Sequence, residues 1–276
     1  MTWFFAKVTL LAQLKYLHIV TLQATLEHVV MAQEYMEGGE LQHFLAQQRS
    51  TLAITGSSEL TPKRLNSLAW YFRVTSHSTQ TCDFTWSTHK LALAQAVTSA
   101  LAYLHALLPK VVHRDVKSRN VLLSASLNAK KLCDFSISRR NQSGNNTSSN
   151  VIAAAGTLSW TAPALLLGEA CREKSDIYSL GILFSELDTC ILSYHDPINQ
   201  SEQLTRHPLR LMRRIVHDGL RPQLSANCPL PSTHISAACV PNARPSAADV
   251  GAWVASARDE QLLHKPSNVV QRTRDG

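Results

Sequence analysis

Residues 113 to 120 read His113-Arg114-Asp115-Val116-Lys117-Ser118-Arg119-Asn120, and fourteen positions later the chain reads Asp134-Phe135. Apolar runs of valine and leucine flank the first stretch, at 111–112 and 121–123. Short runs of this kind favour buried strands. The sequence therefore predicts a polar loop held between two strands, and the interpretation of the other segments depends on this loop.

The loop combines the residue types that phosphoryl transfer needs. A migrating phosphoryl group requires alignment and charge neutralisation more than covalent help from the protein. Asp115 can accept the proton of an attacking hydroxyl, and Lys117 can lie against the transferred phosphate. The Asn120 amide oxygen and the Asp134 carboxylate are hard oxygen ligands of the kind that Mg²⁺ prefers. The spacing predicts a magnesium-dependent phosphoryl-transfer site.

These residues carry a resemblance to a known family. The stretch from His113 to Leu123 resembles the catalytic loop of eukaryotic protein kinases, and Asp134-Phe135-Ser136 resembles their magnesium-binding segment. The segment 117–120 together with Thr157 is most similar to serine/threonine kinases of the tyrosine-kinase-like branch. The resemblance implies a set of supporting residues around the site: His113, Arg114, Phe135, Thr157 and Asp176.

The resemblance extends to both sides of the loop. Upstream, 10–15 resembles the end of the family's C-helix, and 34–41 resembles the hinge between its lobes. It implies that the backbone of Glu34 and Met36 binds the adenine of ATP, with Leu122 on the other side of the base. Downstream, 156–164 resembles the end of the activation segment. In the helix that follows, the counterpart of Asp176 hydrogen-bonds the backbone of the catalytic loop.

Two positions depart from the family pattern. Ser136 replaces a glycine, which removes the residue that most easily takes positive φ and predicts restricted movement of Asp134. Ala164 replaces a glutamate that forms a buried pair with the arginine matching Arg244. Removing one partner of such a pair costs about 3–5 kcal/mol. We therefore expect a loosened activation segment unless Arg244 has found another acceptor.

The N-terminal part differs more. No Gly-x-Gly-x-x-Gly occurs upstream of the hinge, and the chain begins near the start of the family's C-helix. Counting back from Lys15 places Lys7 where the family has a glutamate, although Lys7 reaching inward toward phosphate is an alternative. Positioning supplies most of the catalysis in this reaction. We therefore expect negligible Mg-ATP binding and no autophosphorylation for the polypeptide as written.

The sequence predicts an α+β, two-lobed protein-kinase-like fold. Residues 1–36 form a truncated small lobe with the C-helix and two strands, 37–262 a mostly helical large lobe, and 263–276 a tail. Strands are predicted at 19–26 and 28–35, and apolar positions at steps of three and four predict a buried helix over 88–107. A Ser/Thr-rich segment at about 49–85 exceeds an ordinary connection and is either a disordered insertion or a gene-model artefact.

Composition excludes several classes of protein. The chain has 276 residues, 45% of them hydrophobic, which suffices for a large core. Its six cysteines include no CxxC pair, which argues against zinc and a disulfide framework. No apolar run approaches the length of a membrane span, and Lys7 and Lys15 interrupt the apolar start, so we expect a cytoplasmic protein.

The net charge is +7, and the basic residues are scattered along the chain apart from clusters at 139–140 and 210–214. This distribution favours a solvated surface over nucleic-acid binding.

Two functions from different classes follow from these observations. By resemblance, the chain transfers the ATP γ-phosphate to serine or threonine of a protein substrate, with Mg²⁺ as cofactor and impaired activity in this form. The alternative is a catalytically inactive pseudokinase or fragment that binds a signalling partner. A nucleic-acid binder rests on charge alone and ranks third.

Overall fold

The computed structural model of the protein describes residues 2–25, 30–55, 84–135, 138–140, 157–170, 172–195, 204–226, 228–230 and 241–263. Ser136, most of the predicted insertion and the predicted tail beyond Leu263 lie outside these residues, as does the side chain of Lys7. In the described part, the short strands all lie before position 141 and only helices follow, and the predicted α+β class is confirmed.

The N-terminal part contains one helix and one antiparallel strand pair. Helix α1 spans Thr2–Gln13, and strands β1 and β2 span Leu22–Thr25 and Val30–Gln33. The strands are shorter than predicted because the start of the first predicted strand pairs elsewhere. The Val20 N–H donates to the Leu132 carbonyl at 3.0 Å, and Ile19 forms a parallel bridge with Leu132. This contact joins the N-terminal part to the large lobe.

Helix α2 follows the hinge and runs through Leu41–Thr55. It begins immediately after β3, Gly39–Glu40, and buries Leu41 and Leu45. The first residues of the predicted insertion are therefore helical and continue α2. The part of the chain from 56 to 83 is outside the described residues.

The core of the large lobe is a packed group of three long helices. Helix α3, Leu91–Ala106, confirms the helix predicted from apolar spacing, because its inward positions such as Leu101 and Leu104 are fully buried. Its N-terminus is a π-helical turn, Trp86–Lys90, that begins with a reciprocal capping box at Thr85. Two further helices share this core, and they are α5, Glu173–Thr189, and α7, Ala247–Leu263.

Short strands fix both ends of the polar loop. Strand β4, Val111–Val112, pairs with β7, Arg139–Arg140, and β5, Val121–Leu123, lies between β3 and β6, Lys130–Leu132. The loop 113–120 therefore begins at one strand pair and ends at another, as the flanking apolar runs predict.

Two short helices complete the described architecture. Helix α4, Pro163–Leu166, and helix α6, Pro208–Val216, pack beside the residues that follow the activation segment. Leu158 forms a small apolar cluster with Leu211 and Ile215 of α6. None of the helices in the described ranges is both long and apolar enough to cross a membrane.

Gly38 provides a test of the junction between the hinge and β5. A Cβ at this position would lie 2.5 Å from the Ser124 carbonyl oxygen and 2.8 Å from that of Leu123. Both obstacles are backbone atoms that cannot rotate away. We expect Gly38→Ala to lower the free energy of unfolding by about 1–3 kcal/mol, the usual cost of overpacking, as measured by urea denaturation.

Gly251→Ala is the matched control. A Cβ at Gly251 meets only Thr98 Cγ2, at 3.7 Å, and the position lies inside α7. Alanine there should raise the free energy of unfolding by about 0.5–1 kcal/mol because it is the better helix former. Equal stability of Gly38→Ala and the wild type would contradict the close approach of the two backbones.

Candidate active site

One buried carboxylate, that of Asp176, holds the start of the polar loop. Asp176 lies in the first turn of α5, and its side chain is 1% exposed. Its two oxygens accept the backbone N–H groups of His113 and Arg114, each at 2.8 Å, which are the hydrogen bonds that the resemblance implies. Arg114 has a φ of 74°, in the left-handed region, where a residue with a side chain costs about 1–2 kcal/mol. The paired hydrogen bonds offset this strain.

The His113 ring connects the loop to the segment that carries Asp134. Burial lowers the pKa of His113, so the ring is neutral. Nδ1 accepts the Asp115 backbone N–H at 3.3 Å, and Nε2 therefore carries the proton and donates to the Cys133 carbonyl at 3.0 Å. The ring also packs edge to face on Phe135, with centroids 4.7 Å apart. His113 and Phe135, two of the predicted supporting residues, are therefore in contact with each other.

Asp115, Lys117 and Asn120 form one hydrogen-bonded cluster. Lys117 Nζ donates to the two carboxylate oxygens of Asp115 at 2.9 and 2.8 Å and to Thr157 Oγ1 at 3.3 Å. Asn120 Nδ2 donates to the Asp115 carbonyl and to its Oδ2, both at 2.8 Å. The cluster fixes the orientation of the Asp115 carboxylate and places a cation and a hydroxyl beside it.

Asn120 and Asp134 offer the oxygen ligands that suit magnesium. The Asn120 amide nitrogen faces two acceptors on Asp115, which assigns the amide orientation and turns Oδ1 away from Asp115. The Cys133 N–H donates to the Asn120 carbonyl at 2.9 Å, so the residue before Asp134 lies against Asn120. The chemistry of this donor set fits Mg²⁺.

The described residues would supply only part of a magnesium coordination shell. Among the described residues, no group of three or more His, Cys, Asp or Glu side chains is placed to hold a metal ion. Magnesium commonly takes one or two protein ligands and completes its shell with phosphate oxygens and water. A site built on Asn120 and Asp134 therefore requires a phosphate-bearing ligand.

The predicted adenine-binding residues, Glu34, Met36 and Leu122, lie outside the loop 113–120. The Glu34 N–H donates to the Thr21 carbonyl at 3.1 Å, and the Glu34 carboxylate pairs with Lys131 Nζ at 2.5 Å. Met36 is 9% exposed, and its carbonyl accepts the Gly39 N–H at 3.1 Å. Leu122 is half-buried on β5, two residues after Asn120. The β3–β5 pairing links these residues to the loop.

His105 is a site residue that sequence reasoning missed. It lies in the last turn of α3, and its Nε2 lies 2.9 Å from Asp176 Oδ2. The Asp176 carboxylate therefore contacts three groups: two backbone N–H groups and one imidazole. Seventy-one positions separate His105 from Asp176, and no local motif connects them.

Glu186 is a second buried residue that the sequence did not indicate. Its carboxylate lies in α5 with no exposed surface, and it accepts the indole N–H of Trp160 at 3.2 Å and the Ser193 N–H at 3.3 Å. Burial raises the pKa of Glu186 to about 7, while these hydrogen bonds act in the opposite direction. Glu186 thus connects α5 to the residues that follow Thr157.

Arg244 has the alternative partners that the sequence analysis left open. It is 2% exposed, its Nη1 donates to the Lys174 carbonyl at 3.1 Å, and its guanidinium lies 5.2 Å from the centre of the Tyr178 ring. Lys174 Nζ donates back to the Arg244 carbonyl at 2.6 Å. Ala164 is buried as well. The loosened activation segment stays a prediction, because 141–156 lies outside the described residues.

Comparison with known proteins is consistent with this geometry. The family model for protein tyrosine and serine/threonine kinases matches residues 1–251. The serine/threonine-protein kinase CTR1 of Arabidopsis thaliana is 35% identical over 137 residues, which is 50% of this chain and 16% of that protein.

Two further relatives show similar coverage. The dual specificity protein kinase shkA of Dictyostelium discoideum is 29% identical over 160 residues, 57% of this chain and 29% of the relative. The L-type lectin-domain containing receptor kinase VIII.1 of Arabidopsis thaliana is 39% identical over 120 residues, 43% of this chain and 16% of the relative. The aligned region is therefore less than a third of each relative's own length.

Asp176→Ala tests whether one carboxylate holds the loop. The substitution leaves the buried N–H groups of His113 and Arg114 without their acceptor, and each such loss costs about 1–3 kcal/mol. We expect the free energy of unfolding to fall by about 3–5 kcal/mol, in the range for breaking a buried charged network. Urea denaturation followed by tryptophan fluorescence measures the change.

Glu173→Ala is the control in the same turn of α5. Glu173 pairs with Lys110 at 2.9 Å, but the two side chains are 24% and 47% exposed. Exposed pairs of this kind contribute about 0–1 kcal/mol. Equal losses for the two variants would show that Asp176 has no special role.

Glu186 predicts a pH dependence of stability. Burial raises its pKa from 4.5 to about 7, so between these pH values the folded protein keeps a proton that the unfolded chain has released. This contribution is complete below about pH 4.5 and is lost as the pH rises to about 7. It amounts to about 3 kcal/mol, at about 1.4 kcal/mol for each pKa unit.

The measurement is the free energy of unfolding across this pH range, in the wild type and in Glu186→Gln. The variant cannot titrate at this position, so its stability should fall less as the pH rises. The lowered pKa of His113 makes stability rise with pH, opposite to the effect of Glu186. This contribution is the same in the wild type and in the variant, so the comparison removes it. Identical pH profiles would contradict the raised pKa of Glu186.

Proposed function

Because this chain belongs to the family of protein tyrosine and serine/threonine kinases, we propose that its large lobe carries the phosphoryl-transfer site of a protein serine/threonine kinase. One observation supports this function above the others. Lys117 Nζ contacts both oxygens of Asp115 and the hydroxyl of Thr157. A carboxylate, a cation and a threonine hydroxyl thus meet at one point.

The proposed roles follow from the chemistry of each group. Asp115 orients the serine or threonine hydroxyl of the substrate and accepts its proton. Lys117 neutralises charge on the phosphoryl group during transfer, when that charge is greatest. Thr157 is beside both, at the end of the activation segment, where it favours a short aliphatic hydroxyl in the substrate.

The remaining parts hold the donor. Asn120 Oδ1 and the Asp134 carboxylate would hold Mg²⁺, which supplies charge neutralisation between the phosphates of ATP when bound. The Glu34 N–H donates to the Thr21 carbonyl. The backbone groups proposed to bind adenine are therefore the Glu34 carbonyl and the Met36 N–H. Leu122 contributes the apolar surface on the other side of the base.

A second function, binding of a protein partner without catalysis, is favoured by a different observation. Asp115, Lys117 and Asn120 hydrogen-bond to one another. A lobe of this kind is stable as a binding surface whether or not it turns over ATP.

Turnover separates the two functions. We expect the 276-residue polypeptide to show no thermal shift with Mg-ATP, because backbone groups of the hinge and two metal ligands alone position the nucleotide weakly. A chimera in which small-lobe strands with the family's Gly-x-Gly-x-x-Gly loop and strand-three lysine precede this chain should bind Mg-ATP. It should also transfer labelled phosphate to myelin basic protein on serine or threonine.

Asp115→Asn in the chimera is the decisive control. It keeps the size of the side chain and removes the proton acceptor, so nucleotide binding should persist while turnover falls by about 10²–10⁴-fold, the usual contribution of a general base. A chimera that binds Mg-ATP and transfers no phosphate would support the binding function instead. Turnover unaffected by Asp115→Asn would contradict the assigned role of Asp115.

A further inference from the structure

Lys130 is a charged residue on the buried face of a strand. It is the first residue of β6, in which Lys130 and Leu132 are buried and the residue between them is half-buried. Side chains two positions apart lie on the same face of a strand, and Leu132 belongs to the apolar core of the large lobe. Lys130 is 8% exposed, and a lysine is seldom buried to this extent unless its charge is paired.

The ammonium of Lys130 is not paired in this way. Among the residues that the structure describes, Lys130 Nζ forms no ion pair and no hydrogen bond. The adjacent Lys131 differs, because its Nζ pairs with Glu34 Oε1 at 2.5 Å. The charged group that acts on Lys130 is the guanidinium of Arg258 on α7, which has the same sign. Two cations therefore lie near each other at the edge of the core.

Burial and Arg258 act on Lys130 in the same direction. Burial disfavours the charged ammonium and lowers the pKa of Lys130, and the positive charge of Arg258 lowers it further. A lysine that is desolvated or placed beside another cation has a larger share of neutral amine, which is the nucleophilic form. Lys130 therefore combines a buried stem with a reactive amine.

The other titratable groups on the described elements around Lys130 do not offset this effect. Each of them is either hydrogen-bonded to a different group or exposed to solvent, and none forms an ion pair with Lys130. These groups are Lys15 and His18 before β1, His105 in α3, Lys131 in β6, and Asp249, Asp259 and Glu260 in α7.

A neutral amine beside a cation is suited to a small electrophile, carbon dioxide. The Nζ lone pair attacks the carbon atom, an N–C bond forms as one C=O π pair moves onto oxygen, and Nζ releases one proton to water. The products are the carbamate –NH–COO⁻ and H⁺, so atoms and charge balance without an oxidant or a cofactor. The side chain changes from cation to anion, and its repulsion by Arg258 becomes an ion pair.

We propose that Lys130 is a carbon dioxide-binding site, at which a carbamate forms on Nζ and pairs with the guanidinium of Arg258. The inference is independent of the proposed kinase function, because the cluster of Asp115, Lys117 and Asn120 takes no part in it. A bound inorganic anion is a poorer match, because it requires the charged ammonium that burial disfavours. A bulky acyl thioester is also a poorer match, since Lys130 is 8% exposed.

The position of Lys130 gives the carbamate a structural effect. Strand β6 joins the N-terminal part to the large lobe, because the Leu132 N–H donates to the His18 carbonyl at 2.9 Å and His18 Nδ1 lies 3.0 Å from the Lys130 carbonyl. An ion pair from β6 to α7 should stabilise this junction. Since the ligand binds the folded protein, its concentration should raise the melting temperature.

The test is chemical trapping of the carbamate on the 276-residue chain. The protein is incubated at mildly alkaline pH with bicarbonate labelled with heavy carbon, which supplies carbon dioxide, and is then treated with triethyloxonium ion. This reagent converts a carbamate to a stable ethyl ester, and peptide mass spectrometry locates the label. We expect the label on Lys130 and not on Lys131, whose ammonium is paired, or on the exposed Lys110.

Two variants test the role of Arg258. Arg258→Gln removes the cation and should lower the labelled fraction of Lys130 by about fivefold or more, which corresponds to about 1 kcal/mol. Arg172→Gln is the matched control, because Arg172 is an exposed arginine that precedes α5, and its labelled fraction should stay within about twofold of the wild type. Equal labelling in Arg258→Gln and the wild type would overturn the ion pair.

Lys130→Arg keeps the positive charge and cannot form the carbamate. Bicarbonate should raise the melting temperature of the wild type and leave that of Lys130→Arg unchanged at the same ionic strength. Removal of carbon dioxide before trapping should abolish the label, since a carbamate is reversible. A label that survives this step, a label of equal extent on Lys110, or no label on Lys130 would each overturn the site.

Discussion

The structure of the site depends on the carboxylate of Asp176. It is buried beneath the polar loop and accepts two consecutive backbone N–H groups, at His113 and Arg114. A buried carboxylate is tolerated only where hydrogen bonds and charge replace water. The two consecutive N–H groups can converge on one side chain because Arg114 takes a left-handed conformation. The path of the chain into Asp115 is therefore set by a side chain of helix α5.

The rest of the loop is held by a few side chains that each contact two segments of the chain. The His113 ring receives the Asp115 N–H on one nitrogen and donates to the Cys133 carbonyl with the other. Phe135 packs on the same ring. A single neutral imidazole thus holds the segment of the proposed base and the segment of the proposed metal ligand together. Its lowered pKa is consistent with this role, because a protonated ring could not accept the Asp115 N–H.

The residue patterns predicted what local chemistry determines. The long-range contact of Asp176 with the loop was predicted only through the family resemblance, and other tertiary contacts were missed. Helix α3 follows from its apolar spacing, and the cluster of Asp115, Lys117 and Asn120 is close in the chain and so was visible as a motif. His105 and Glu186 were not predicted, since each contacts its partner across many residues and neither belongs to a local pattern. The polar Glu186 inside the apolar run 180–187 was the one available signal, because a buried acid requires donors. The first predicted strand also began too early, since Val20 hydrogen-bonds to Leu132 and β1 begins at Leu22.

The presence of Asp115, Lys117 and Asn120 together has a cause that is independent of catalysis. Lys117 and Asp115 are 13% and 10% exposed, and Asn120 closes the cluster from the other side. Removing one member of a buried, hydrogen-bonded pair costs about 3–5 kcal/mol, a large part of the stability of an ordinary domain. A kinase and a binding module built on this lobe would therefore both keep all three side chains.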